Sequence, residues 1–178
     1  MFITLARVWR LLFVGVFAVA FGVSSVHAMG DLGIVVETLT DPGKEMHCPV
    51  CGRAINPGVV HTDAPVIIRE KLKTALTERN IGYSDGMKPD QPYIHVLVYR
   101  FQERKGGNFA VEKPASVAFH MHLMKNRMVG KIFAYSEEQK ALTQNLLTVG
   151  KFFRRGARWV TAEELAGEGI NAGLDELV

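Results

Sequence analysis

Both cysteines of this 178-residue chain fall in one pentapeptide, CPVCG at residues 48–52. Thiols at i and i+3, here Cys48 and Cys51, can chelate a metal ion or close a small disulfide, and the redox compartment decides which is easier. Dithiol turnover is a third chemistry, and it needs the second cysteine in a helix whose N-terminus lowers the first thiol's pKa. The residues after Cys51 read GRAINPG, a poor helix, so a thiol-disulfide oxidoreductase is disfavoured. A structural zinc site wants four ligands, and no second CxxC follows. His61 and His47 are the candidates to complete it. Adjacent side chains diverge, so His47 is the awkward partner of Cys48 and His61 the better one. Alternatively, two chains could each donate a cysteine pair to a shared ion. A disulfide between Cys48 and Cys51 would close a very small ring and contribute little chain entropy. Metal and disulfide both stay open, because compartment supports one and Gly52 the other: a glycine there lets backbone N–H groups approach thiolates.

Over these five residues CPVCG resembles the half-site of a zinc ribbon, which implies Zn(II) as the cofactor. A second, weaker metal candidate is His120 with His122, in HMH, whose i, i+2 spacing on a strand turns both rings to one face. Such a pair can bind a transition metal with a third ligand; the competing reading is two surface or interface histidines. Val117, Phe119, Met121 and Leu123 occupy the opposite face and form the natural core set. His95 is a lone histidine in an apolar strand and reads as packed. No nucleophile elbow, phosphate loop, HExxH or dinucleotide fingerprint occurs, so no catalytic residue is assigned and a non-enzymatic role is expected.

Residues 1–28 read as a secretory signal: Arg7 and Arg10 without an acid, a thirteen-residue apolar run, then Val26, His27 and Ala28. That run is shorter than the ~20 residues a bilayer-spanning helix needs. The expected destination is therefore the periplasm or cell envelope through a cleaved signal, with membrane contact only if the segment is retained. No lipidation cysteine follows it. Without Arg7 and Arg10 the 21 basic residues fall to 19 against 18 acidic ones, which gives no electrostatic case for nucleic acid. Two local basic clusters remain, Arg104 with Lys105, and Lys151, Arg154, Arg155 and Arg158.

The elements that must position these groups follow from periodicity. Residues 29–64 hold a first strand over 31–40 and a Cys/His-containing loop over 41–65; residues 65–178 form an α+β domain continuous with them. Asp63 and Pro65 open a helix over 66–79, with Ile68, Leu72, Ala75 and Leu76 as its buried stripe. A short strand over 81–85 and a turn lead to three extended runs, 93–101, 109–125 and 128–135, the second broken by Pro114. Ser136 and Gln139 read as a capping box for a helix carrying Leu142, Leu146, Val149 and Phe153. Thr161 and Glu164 repeat the pattern for a last helix, weakened by Gly167, Gly169 and Gly173. The expected fold is α+β: an antiparallel sheet of three long strands plus one or two short ones, with helices mainly on one face and an N-terminal Cys-containing loop.

PVIIREKLKTALTERN followed by YIHVLVYRF and VAFHMHL resembles, over most of residues 65–147, small bacterial envelope domains. These are the N-terminal domain of the Tol translocation protein and the auxiliary lipoproteins of envelope ABC transporters. The resemblance implies a non-enzymatic assembly or binding component. The leading expectation is an exported, non-catalytic envelope domain whose Cys48–Cys51 loop is stabilised by metal or disulfide. It would meet a protein partner through a free sheet edge or the loop at Arg104 and Lys105. The alternatives are a soft-metal carrier for zinc or copper(I) and a periplasmic thiol oxidoreductase.

Overall fold

The longest apolar alternations of the sequence become the centre of one sheet in a computed structural model, which describes residues 31–41, 44–106, 111–139 and 159–178. The signal over residues 1–28, the helix positions Leu142, Leu146, Val149 and Phe153, and the second basic cluster lie outside the described residues. In chain order the elements are β1 (Leu32–Thr38), β2 (Met46–His47), β3 (Ala54–Ile55), α1 (Ala64–Glu78), β4 (Tyr83–Asp85), β5 (Tyr93–Gln102), β6 (Lys105–Gly106), β7 (Val111–Lys113), β8 (Ser116–Lys125), β9 (Met128–Glu138) and α2 (Ala162–Leu177).

Five strands form the main sheet in the order β4-β1-β5-β8-β9. The fold is α+β, but the expected antiparallel sheet of three long strands is incorrect: β1 pairs in parallel with both β4 and β5, while β5/β8 and β8/β9 are antiparallel. The reason lies in the connection. A strand that leaves through a helix returns far enough along the chain to lie parallel to its predecessor, and α1 is that crossover. β1 therefore sits between β4 and β5 as an interior strand. Another correction concerns Ser136, which continues β9 through Glu138 and does not cap a helix. Gln139 then bonds back to the sheet, its N–H donating to the Ala115 carbonyl at 2.9 Å.

Period-two alternation divides the sheet. Leu32, Ile34, Ile94, Val96, Val98, Val117, Phe119 and Met121 face α1 and α2, which bring Ile68, Leu72, Leu76, Leu165, Ile170 and Leu174 to one buried core. The stripe read from the sequence is the buried face of α1. Asp63 precedes α1 without a side-chain cap bond, so Pro65 carries the start. The Thr161–Glu164 capping box of α2 is complete in both directions, at 3.1 and 3.0 Å. Asn126 and Arg127, at φ of 51° and 62°, close the β8–β9 hairpin in the left-handed region that a two-residue type I′ turn requires.

The loop after β1 is not structureless. It folds back as the β2–β3 hairpin, and its later part runs beside β5: Gly58 donates to Tyr99, Phe101 to Val59 and His61 to Phe101, at 2.8 to 2.9 Å. The face of the sheet away from the helices is thereby covered by the cysteine-bearing segment. Cys48 and Ile55 pack there with Leu97, Tyr99 and Ala118.

Two of the glycines that weaken α2 as an isolated helix are the reason it seats so close to the sheet. A Cβ at Gly169 would meet the Tyr135 ring at 2.7 Å and Phe119 at 2.8 Å; at Gly173 it would meet Met121 Sδ at 2.5 Å. At Gly167 the nearest group is the flexible Lys71 side chain at 3.9 Å. Gly169→Ala is therefore expected to destabilise by about 1–3 kcal/mol through overpacking. Gly167→Ala is expected to stabilise by about 0.5–1 kcal/mol through helix propensity. Urea denaturation of the two variants checks the opposite signs.

Candidate metal centre

The site is built from two half-sites that the sequence keeps apart. In β8, His120 and His122 project from the face opposite Phe119 and Met121, as i, i+2 spacing demands. They do not reach solvent: His120 is 2% and His122 0% exposed. What covers them is the turn of the β2–β3 hairpin. Cys48 N–H donates to the Arg53 carbonyl and Gly52 N–H to the Cys48 carbonyl, so the turn closes on itself. Gly52 sits at φ +71°, where a side chain would be strained, and this tight reversal brings both sulfurs to one side.

The four ligand atoms of Cys48, Cys51, His120 and His122 all lie within 4.8 Å of one another. Cys48 Sγ is 3.6 Å from His122 Nε2, and Cys51 Sγ is 3.6 Å from His120 Nδ1. Bond lengths of about 2.3 Å to sulfur and 2.05 Å to nitrogen, set tetrahedrally around Zn(II), give sulfur–nitrogen edges of roughly 3.6 Å. Two of the sulfur–nitrogen contacts are thus at the spacing a single ion requires, within a group of four donors no more than 4.8 Å apart. Both cysteines are free thiols.

The histidines read from the sequence as partners of the cysteines stand elsewhere. His61 is exposed, with Nδ1 3.7 Å from Asp63 Oδ2 and accepting the Asp63 N–H. His47 is exposed while its neighbour Cys48 is buried, which is the divergence of adjacent side chains made visible. The two pairs treated as separate candidates form one group. A signal was present: CxxC and HxH are each two ligands short of a four-coordinate site, and each supplies what the other lacks. The expected partner loop is partly engaged within the chain, because the Arg104 guanidinium lies 4.5 Å over the Trp159 ring; Lys105 is exposed in β6.

Around the ligands the surroundings favour uncharged imidazole. Burial, reinforced by neighbouring His95 and His120, pushes His122 down to about 4, and burial with the Arg53 charge also lowers His120. A neutral ring keeps a lone pair for a metal. Burial raises Cys51, opposed by a hydrogen bond from the Arg53 backbone, so this thiol is not poised as a reactive thiolate in the metal-free protein. Tyr99 packs edge-on against His120 at 5.3 Å between ring centres, with its own hydroxyl pushed up to about 12 by burial. His95 is not merely packed. It stands directly across from His122 in the β5–β8 ladder, with the two Nδ1 atoms 3.2 Å apart, and its Nε2 meets Glu37 Oε2 of β1 at 3.1 Å.

No protein-family model and no curated protein matches the chain. Among solved structures it is similar to a Xanthomonas campestris protein of the family DUF330, with 14% identity, a TM-score of 0.41 and coverage of 85% of this chain and 90% of that one. It is also similar to a PelC dodecamer from Paraburkholderia phytofirmans, with 14% identity, a TM-score of 0.43 and coverage of 82% and 84%. A minor lipoprotein from Acinetobacter baumannii follows, with 10% identity, a TM-score of 0.33 and coverage of 79% and 93%. All three come from bacteria, and one is named as a lipoprotein.

The depressed His122 sets a pH dependence. Its folded value, about 4, lies below the ordinary histidine value of 6.5, so between these the unfolded chain binds more protons than the folded one. Stability of the metal-free protein is therefore expected to be full above that window and to fall as pH drops through it, by up to roughly 3 kcal/mol. His122→Asn should flatten that slope. Chemical denaturation at a series of pH values in the presence of a chelator measures it, and an unchanged slope would contradict the assignment.

Proposed function

We propose that the chain is an exported, non-catalytic binding or assembly domain of the bacterial envelope, in which Zn(II) fastens the CxxC hairpin to the sheet. The observation that carries the metal reading is the convergence of two sulfurs and two imidazole nitrogens within 4.8 Å, with both sulfur–nitrogen contacts at 3.6 Å. Export is supported by the leader pattern of residues 1–28. The binding or assembly role rests on the resemblance of residues 65–147 to envelope domains and on the lack of any catalytic motif in the sequence.

Charge favours a divalent ion. Two thiolates and two neutral imidazoles make a neutral centre with Zn(II) but leave one net negative charge with copper(I). Ile55, Leu97, Tyr99 and Ala118 pack around Cys48, where a net charge is costly, and the exposed Arg53 guanidinium offsets it only in part. Cys48, His120 and His122 are nearly inaccessible, which suits an ion that stays and not one that is handed on. A carrier would need more open ligands. The oxidoreductase reading lacks its device, because the CxxC lies in a hairpin turn and burial raises the Cys51 thiol.

The full chain, purified under reducing conditions, is expected to contain one zinc per chain by elemental analysis. A structural ion present at about 1,000 times its dissociation constant adds about 4 kcal/mol. Chelation should accordingly lower Tm by roughly 10 °C. Cys51→Ser and His120→Ala should each abolish stoichiometric zinc and remove the chelator response. Protein without metal, whose Tm ignores chelator, would overturn the reading.

A further inference from the structure

Glu37, His95 and His122 form a hydrogen-bonded row across three adjacent strands, β1, β5 and β8, and it ends on the sulfur of Cys48. The direction of its hydrogens follows from its far end. A carboxylate accepts and does not donate, so the contact of 3.1 Å between Glu37 Oε2 and His95 Nε2 places a hydrogen on that nitrogen. A neutral His95 then has a bare Nδ1. The facing Nδ1 of His122, 3.2 Å away, must be the donor. His122 consequently has its remaining nitrogen, Nε2, free of hydrogen, and that is the atom 3.6 Å from Cys48 Sγ. The whole row is consistent with one tautomer of each ring and presents a lone pair to the centre.

Position makes the constraint firm. His95 and His122 are cross-strand partners in register, their rings stack at 5.4 Å with an interplanar angle of 28°, and they are 6% and 0% exposed. The bond between the two rings is thus shielded from water, while Glu37 at the outer end of the row is exposed. His120, by contrast, presents Nδ1 to Cys51, so the two imidazoles of one HxH offer different nitrogens. The row accounts for His122 being the one that presents Nε2 to a sulfur.

We propose that His95 and Glu37 are positioning residues of the metal centre: they fix His122 as the Nδ1–H tautomer and aim its Nε2 at the ion. Outer groups of this kind typically change metal affinity by about 10- to 100-fold when removed. The affinity effect rests on the metal reading above, whereas the tautomer belongs to the metal-free protein and stands independently of it.

The test uses the full chain labelled with ¹⁵N. Long-range proton–nitrogen NMR of the metal-free protein near pH 7.5 is expected to find His122 protonated on Nδ1 and His95 on Nε2. Zinc affinity is measured alongside by competition with a chromophoric chelator. His95→Leu, which removes the imidazole acceptor and leaves the backbone of residue 95 in place, should weaken zinc by about 10- to 100-fold. His95→Gln, which keeps an acceptor for His122 and a donor for Glu37, should recover most of that loss. A purely structural role for His95 predicts no such split between Leu and Gln, and denaturation of the metal-free variants separates folding losses from ligation losses. His122 protonated on Nε2 in the metal-free protein, or a His95→Leu chain that binds zinc as tightly as the unaltered one, would overturn the proposal. Failure of the unaltered chain to bind zinc would overturn the metal reading instead, leaving the NMR result to decide the tautomer.

Discussion

Strand β8 has to serve two chemically opposed surroundings at once, and the rest of the architecture follows from how it does so. Side chains of a strand alternate between faces, so Val117, Phe119 and Met121 enter the hydrocarbon core under the helices while Ala118, His120 and His122 enter the layer beneath the cysteine hairpin. A strand buried on both sides normally reads as continuous hydrocarbon. Here one of its rows is polar, and burial of polar rings is tolerable only where each nitrogen has a partner. The hairpin supplies one partner to each ring from about seventy residues earlier in the chain, with sequence separations of 74 and 69 for the two sulfur–nitrogen contacts, and His95 of β5 supplies another to His122.

That arrangement explains why so much of the segment after β1 is tied down. A loop this long without regular structure is unusual in a compact domain. It is held at one end by Leu39 donating to the Val98 carbonyl, in the middle by the thiol–imidazole contacts, and at the other end by the run of bonds between residues 58–61 and β5. Between these ties the hairpin contributes Cys48 and Ile55 to a small apolar layer with Leu97 and Tyr99. The second layer of the protein is thus part hydrocarbon and part polar cluster, too small to hold by burial alone.

Much of this was legible from residue types and spacing. Tyr93–Gln102, Ser116–Lys125 and Met128–Glu138 declare themselves by β-branched and aromatic content, α1 by its stripe, and α2 by its reciprocal cap. The facing of His120 and His122 away from Phe119 also follows from alternation alone. Two things did not follow. The parallel placement of β1 between β4 and β5 is a matter of long-range pairing, and no local signal distinguishes an interior β1 from an edge one. The union of CxxC with HxH is likewise a tertiary event: the nearer histidines, His47 and His61, were reachable by sequence distance, whereas the sheet carries the distant pair to the sulfurs. His95 is packed as its apolar strand implies, but its polar partners were hidden for a related reason. Its partner carboxylate, Glu37, lies 58 positions away in the chain and only one strand away in space.

The in-register pairing of His95 with His122 has a bearing on how β5 and β8 find each other. Sliding β8 by a single residue would turn its imidazoles into the hydrocarbon beneath the helices and present Phe119 and Met121 to the thiols. Mispaired intermediates would therefore lose the sulfur–nitrogen contacts and the oily layer together. An ion gripped by the four donors would act as a proofreader of strand alignment, rewarding one arrangement of the ladder and none of its neighbours.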